Sequence, residues 1–221
     1  KKALSVKPDY PDAYVNMGST LEDQGKLEEA IEIYNTALSK LPRIYDHPYA
    51  FHRGSVFQKI WNIDANNKNN VRYFSQFGQD KIVHEVFFKD CKPGFFVEVG
   101  AYDGVTGSNC LFFEKFKNWK GIAIEASETQ FKKLEKNRLC TTINAVIGER
   151  VEKIEFVEVI EGLTQMSGIN HESYSSHLDI FDANKQTKIK KHIVQTQTLT
   201  NILAERTFID FMSIDIEGNE F

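Results

Sequence analysis

The chain has 221 residues, 41% hydrophobic and 26% charged, with a formal net charge of -4. This is the composition of a globular protein long enough for one domain plus a smaller module. A mildly acidic chain offers no broad attraction to nucleic acid or an anionic membrane, and no apolar run approaches the ~18 residues of a membrane span.

Cys91, Cys110 and Cys140 are widely spaced, without a C-x-x-C pair. They predict neither a disulfide framework nor a zinc knuckle and suit a reducing, cytoplasmic setting. The basic run Lys185–Lys191 is short, mixed with polar residues, and reads as a solvated face. The chain opens at Lys1 inside a helical pattern, without methionine, and stops at Phe221 just past a predicted strand. Both ends are therefore expected to lie inside a longer protein.

The first elements are helical. Asp12-Ala-Tyr-Val-Asn-Met-Gly18 leads through Leu21, Gly25, Ala30, Tyr34 and Ala37 to Pro42. Small residues at Gly18, Ala30 and Ala37 allow two antiparallel helices to approach closely. Lys2-Ala3-Leu4…Pro8 is echoed by Thr36-Ala37-Leu38…Pro42, with a spacing of 34 from Ala3 to Ala37 and from Pro8 to Pro42. The pattern resembles a tetratricopeptide repeat, one whole copy and the tail of another over residues 1–42. One repeat cannot bury its own face, so further repeats are expected upstream, and a protein partner could dock on them.

Residues 43–72 read as a linker, closed by the cluster Asn66-Asn67-Lys68-Asn69-Asn70. Beyond it, short apolar runs alternate with helix-like stretches, which predicts an α/β domain with a mostly parallel sheet over residues 73–221. Helices are expected at Gln79–Lys89, Ser108–Phe116, Glu128–Asn137 and Leu199–Ala204. Strands are expected at Phe95–Val99, Gly121–Ile124, Thr141–Val146, His192–Thr196 and Ile209–Ile214. A further strand at Ile154–Val159 is antiparallel or peripheral. Glu161–Gln186 reads as an irregular excursion rich in Ser, His, Asn and Asp.

The strongest chemical signal is Phe95-Phe-Val-Glu-Val-Gly-Ala-Tyr-Asp-Gly104. An apolar strand runs into Gly100, with Gly104 four residues on and Glu98 two residues before. Glycine at a strand–helix turn lets the backbone approach a ligand, and the N–H groups of a helix starting near Ser108 would point at it. A dinucleotide fold prefers G-x-G-x-x-G, whereas Tyr stands at 102, so a nicotinamide oxidoreductase is disfavoured. Glu98 opposes a pyrophosphate there and suits the cationic amino-acid end of S-adenosylmethionine. A second strand ends at Glu125, where a carboxylate can take both hydroxyls of a ribose. At the last strand Asp215 and Glu217 lie two apart and so point the same way in extended chain. A carboxylate pair there could act as base toward an acceptor hydroxyl. Substrate binding, metal ligation and loop structure through Gly218 remain alternatives. His171 and His177 read as solvated loop residues within reach of an acceptor. No H-E-x-x-H and no Asn-Pro-Pro-aromatic motif occurs.

In combination, Ser75-Gln-Phe-Gly-Gln-Asp80, Phe96–Gly104, Ser108-Asn109, Trp119–Ala126, Thr198-Leu199 and Ser213–Glu220 resemble the FkbM methyltransferases. The resemblance runs from Tyr73 to Phe221. It implies a Rossmann-like class I methyltransferase fold, S-adenosylmethionine as donor, and a hydroxyl acceptor on a sugar, glycan or sugar-bearing metabolite. By that resemblance Glu98, Gly100, Asp103, Asn109 and Glu125 line the cofactor site, with Ala101, Gly104 and Ala126 beside them. Cys110 departs from the threonine the family often carries. The strands the family adds beyond the fourth lie outside these residues, so residues 1–221 alone are expected not to catalyse. A repeat scaffold with a non-catalytic methyltransferase-like domain is the competing reading.

Overall fold

In the computed structural model, which describes residues 10–41, 55–57, 59–60, 62–63, 72–170, 187–204 and 206–216, the chain divides into two compact units, Lys1–Lys89 and Asp90–Phe221. No helix among the described residues is long and apolar enough to cross a membrane.

The first unit holds the predicted hairpin. Helix α1, Pro11–Asp23, opens on a proline, whose missing N–H would have no helical partner there. Gly25 ends it at φ +73°, a conformation that favours glycine, and α2 follows at Leu27–Lys40. In α2 the apolar residues Leu27, Ala30, Ile31, Tyr34 and Leu38 recur at helical spacing and join one hydrophobic cluster with Val15, Leu21 and Val56. Glu28 and Glu29 at its start and Lys40 at its end complement the helix dipole. The Tyr34 ring lies against Gly18, and its hydroxyl donates to Glu22 Oε2 at 2.9 Å. The two helices are therefore pinned at a glycine and at a hydrogen bond.

Later in this unit, the fully buried Asp80 closes the Ser75–Asp80 loop. Its carboxylate accepts from the N–H groups of Phe74 (2.6 Å), Ser75 (3.2 Å) and Lys81 (2.8 Å) and from Ser75 Oγ (2.6 Å). The single helix expected over Gln79–Lys89 is an α-helical turn, α3 (Gln79–Val83), continued as a π-helical stretch, His84–Phe88.

The second unit is built on a four-stranded parallel sheet of β1 (Phe95–Val99), β2 (Lys120–Glu125), β3 (Thr141–Asn144) and β7 (Phe211–Ile214), in the order β3-β2-β1-β7. The carboxyl ends of all four strands therefore share one edge. Val97, Val99, Ile122 and Ile124 fill one face. On the other, the Phe96 ring sits over Gly121 and beneath the Arg138 guanidinium. Helix α4, Leu111–Lys117, starts three residues later than expected, for a reason given below, and stops at Asn118 in left-handed conformation. Helix α5, Glu128–Asn137, has the predicted bounds; Ser127 caps it by accepting from the Gln130 N–H.

The remaining strands form a separate antiparallel sheet: β4 (Lys153–Glu161), β5 (Gly168–Ile169) and β6 (Lys188–Gln195), in the order β5-β4-β6. The strand expected at His192–Thr196 is β6. It starts earlier because eight of its residues pair with β4, a partnership no local pattern announces. A short helix α6, Leu199–Ile202, leads back toward β7. Glu161–Gln186 opens as expected, with only a 3-10 turn at Thr164–Met166 and the short β5; residues 171–186 lie outside the described residues.

Replacing a mid-helix glycine by alanine normally gains about 0.5–1 kcal/mol. At Gly18 the new Cβ would run into the Tyr34 ring. Gly18→Ala is therefore expected to lose about 1–3 kcal/mol by overpacking. Urea unfolding followed by helical circular dichroism checks this, and a variant as stable as the parent would contradict it.

Candidate functional site

β1 hands over to a turn whose shape the sheet itself dictates. Gly100 has φ +80°, and a Cβ there would collide with the carbonyl oxygen of Asp215 as β7 ends alongside. The N–H groups of Gly100 and Ala101 both donate to the Ile124 carbonyl, each at 2.9 Å. Ala101 is buried with Ala123 and Leu134. Gly104, at φ +82°, has no room for a Cβ because Leu134 and Arg138 of the α5 side lie 2.8 Å from where it would be. Both glycines are thus required by the chain's own packing. Between them Tyr102 adopts φ +50°, an uncommon conformation for a large side chain that concentrates at functional sites. Its N–H donates to Glu125 Oε2 at 2.8 Å, and its hydroxyl lies 2.6 Å from Thr164 Oγ1.

Glu98 has a different task from the one expected. It is 3% exposed and sits beneath the turn. Its Oε1 accepts from the N–H groups of Asn109 (2.8 Å) and Cys110 (3.2 Å), both oxygens accept from Ser108 Oγ, and Oε2 accepts from Arg138 Nη1 at 2.7 Å. The N–H of Leu111 goes to Ser108 Oγ. The N–H groups that the sequence aimed at a ligand are therefore consumed by Glu98 and Ser108, which is why α4 starts only at Leu111. A carboxylate already neutralised by a buried guanidinium does not suit a cationic ligand group. Arg138 also donates through Nε to Glu114 at 2.8 Å. Burial alone would push the Glu114 carboxyl up, but Arg138 and the Leu139 N–H outweigh it and hold the carboxyl below its usual range.

At the end of β2, Glu125 is 7% exposed. Oε2 accepts from Tyr102 and Oε1 from the Ser127 N–H at 2.7 Å. Its two oxygens offer more acceptor sites than the backbone N–H groups fill, so the carboxylate is oriented but not exhausted. Burial pushes its pKa up, against the three backbone N–H groups that favour the charged form. Ala126 follows it, and Asn144 at the end of β3 donates to both the Glu125 and Ala126 carbonyls.

The other expected residues separate. Asp103 turns onto its own loop, accepting from the N–H groups of Val105 and Thr106 and the Thr106 hydroxyl. Asn109 donates through Nδ2 to Ser213 Oγ of β7 at 2.9 Å, while its Oδ1 is buried with no hydrogen-bond partner among the described residues. Asp215 lies exposed just past β7, its N–H donating to the Val99 carbonyl. Glu217, His171 and His177 lie outside the described residues. Among the described residues no cluster of three metal-ligating side chains occurs.

Two comparisons bear on this arrangement. The family described as Methyltransferase FkbM domain matches residues 98–221, from within β1 to the end, and so covers more than half of the chain. The chain belongs to the FkbM methyltransferase family. Its N-terminal hairpin matches a tetratricopeptide repeat over residues 11–39. No curated protein matches the chain. Within the FkbM domain the turn and Glu125 are joined through the Tyr102 N–H, while Asn109 is held on β7 through Ser213. Tyr102, Ser127, Arg138 and Glu158 were not singled out by sequence. Ser127 had a signal, since Ser-x-x-Gln before an amphipathic run marks a helix cap. Arg138 and Glu158 had none, because their partners lie 40 and 31 residues away.

Removing one partner of a buried ion pair leaves the other uncompensated, at a cost of about 3–5 kcal/mol. Arg138→Ala is expected to lose stability on this scale in urea unfolding at neutral pH. Glu114, held low by Arg138, contributes stability above the ordinary glutamate range that is lost as pH falls through its lowered folded value. That part of the acid sensitivity should disappear in Arg138→Ala. A loss under about 1 kcal/mol would contradict a pair of this kind.

Proposed function

We propose that the FkbM domain binds S-adenosylmethionine at the carboxyl edge of the parallel sheet and transfers its methyl group to a hydroxyl of a sugar, glycan or sugar-bearing metabolite. The observation that carries this reading is Glu125, buried at the end of β2 and oriented by backbone N–H groups that leave its carboxylate acceptor capacity to spare. Such a carboxylate fits the two hydroxyls of a ribose. Asn109 Oδ1, buried and without a hydrogen-bond partner among the described residues, fits a donor of the amino-acid end. Bound there, the sulfonium supplies an electrophilic methyl, and the protein's part is to orient the reactants, exclude water and take up the acceptor's proton. Asp215, exposed beside Gly100, is the candidate for the last of these among the described residues; Glu217 is its expected partner. The tetratricopeptide repeat is read as a docking arm for a protein partner.

Two results test the cofactor reading. In calorimetric titration, Glu125→Ala is expected to weaken S-adenosylhomocysteine binding by roughly 1.5–3 kcal/mol, the scale of a charge-assisted hydrogen bond, while NAD shows no saturable binding. Unchanged affinity in the variant would remove the ribose assignment. The pH dependence has a definite sign. Because the folded pKa of Glu125 is raised, the ligand-free fold is relieved of a buried charge as pH falls through that value, and it gains stability from this group. Ribose hydroxyls donate to the ionised form, so affinity falls over the same window, above the usual glutamate range. Affinity and ligand-free stability that move together there would contradict the assignment.

A further inference from the structure

Among the described residues Glu158 is a further buried acid, beside the Glu125 corner. It lies on β4 of the antiparallel sheet, 3% exposed, two residues from the buried Phe156 and so on the same face. Its Oε1 accepts from Ser127 Oγ at 2.9 Å and from the Thr129 N–H at 3.1 Å. The same Ser127 sends its N–H to Glu125 Oε1 at 2.7 Å and caps α5 through Gln130. One serine therefore stands between two carboxylates, its backbone holding one and its hydroxyl held by the other. The first turn of α5, the natural place for an anion in such a fold, is closed by the protein's own carboxylate.

We propose that Glu158 is a positioning residue for the ribose site: through the Ser127 hydroxyl it fixes the N–H that orients Glu125, and its own negative charge lies within the field of that carboxylate. The inference rests on the ribose reading of Glu125. A structural cap alone would need only the hydrogen bonds. Glu158 adds charge next to a second buried acid, and the two respond oppositely. Glu125 is raised, chiefly by burial and also by the charge of Glu158. Glu158 is itself pushed up by burial, yet ends below its usual range because Thr129 and Ser127 donate to it and His192 lies nearby. Environments that separate two neighbouring acids in this way leave one reliably charged and the other poised. The other charged or titratable groups around the pair are Tyr102 of the turn, Glu128 and Lys132 of α5, and Lys190 and His192 of β6; Lys190 is the cross-strand neighbour of Glu158.

The test uses the full chain and S-adenosylhomocysteine, titrated across pH with Glu158→Ala and Glu158→Gln, with circular dichroism to establish folding and His192→Gln as a control for the imidazole. Glutamine keeps an acceptor for Ser127 and Thr129 but removes the charge. Glu158→Ala is expected to lose affinity about tenfold at neutral pH, as for one buried hydrogen bond, and Glu158→Gln to recover most of it. In Glu158→Gln the pH midpoint at which affinity falls should move down, since a negative neighbour of Glu125 is gone. Affinity and midpoint like the parent's in both variants would overturn the inference. So would a loss that glutamine does not rescue with an unmoved midpoint, which is what a merely structural acid would give. If Glu158→Ala does not fold, the midpoint of Glu158→Gln decides. A parent chain that does not bind S-adenosylhomocysteine would overturn the ribose reading itself, and this inference with it.

Discussion

The buried Glu98 carboxylate holds the carboxyl edge of the parallel sheet together. It lies at the last inward position of the central strand, where water cannot solvate it, so the surrounding chain must supply donors. Ser108, Asn109, Cys110 and Arg138 do so, and in doing so they fix where the loop after the turn runs and where α4 begins. Arg138 in turn ties the end of α5 to the start of that loop and to Glu114. A single buried charge thus sets the relative positions of β1, α4 and α5.

The turn above Glu98 is constrained from outside by one backbone and by two side chains, those of Leu134 and Arg138. The Asp215 carbonyl excludes a side chain at 100, and α5 and Arg138 exclude one at 104. Tyr102 is left in an unfavourable conformation that is repaid by two contacts: its N–H orients Glu125, and its hydroxyl meets Thr164 beyond β4. Glu158 reaches the same corner from β4. The antiparallel sheet therefore touches the candidate cofactor edge at two points, Tyr102–Thr164 and Ser127–Glu158. Whatever moves Thr164, near the start of the Glu161–Gln186 excursion, bears directly on the turn.

Much of this was legible in the residues because it is local. The helical spacing of Leu27, Ala30, Ile31, Tyr34 and Leu38, the 34-residue echo ending at Pro42, and the apolar runs Phe95–Val99 and Gly121–Ile124 each specify their element from within a few turns or residues. The place of Glu125 at a strand end was legible because the apolar run Gly121–Ile124 stops at it. The partners of Glu98 were not legible, for the opposite reason. Its chemistry is decided by Arg138, 40 residues on, and a sequence pattern cannot tell a carboxylate that faces a ligand from one that faces a guanidinium. The same holds for Asp103, whose partners are its own neighbours Val105 and Thr106, and for the pairing of β6 with β4. The glycines were found for an incomplete reason: the structure requires them for close packing of β7 and α5, whether or not a ligand also approaches there.

We propose a division of labour between two acids, with Glu98 building the site and Glu125 meeting the ligand. A crystal structure of the chain with S-adenosylhomocysteine tests it most directly. The ribose hydroxyls are expected within hydrogen-bond distance of both Glu125 oxygens, with the Glu98–Arg138 pair unbroken beneath the turn. An amino-acid end seated on Glu98 with Arg138 displaced, or a ribose lying away from Glu125, would contradict it.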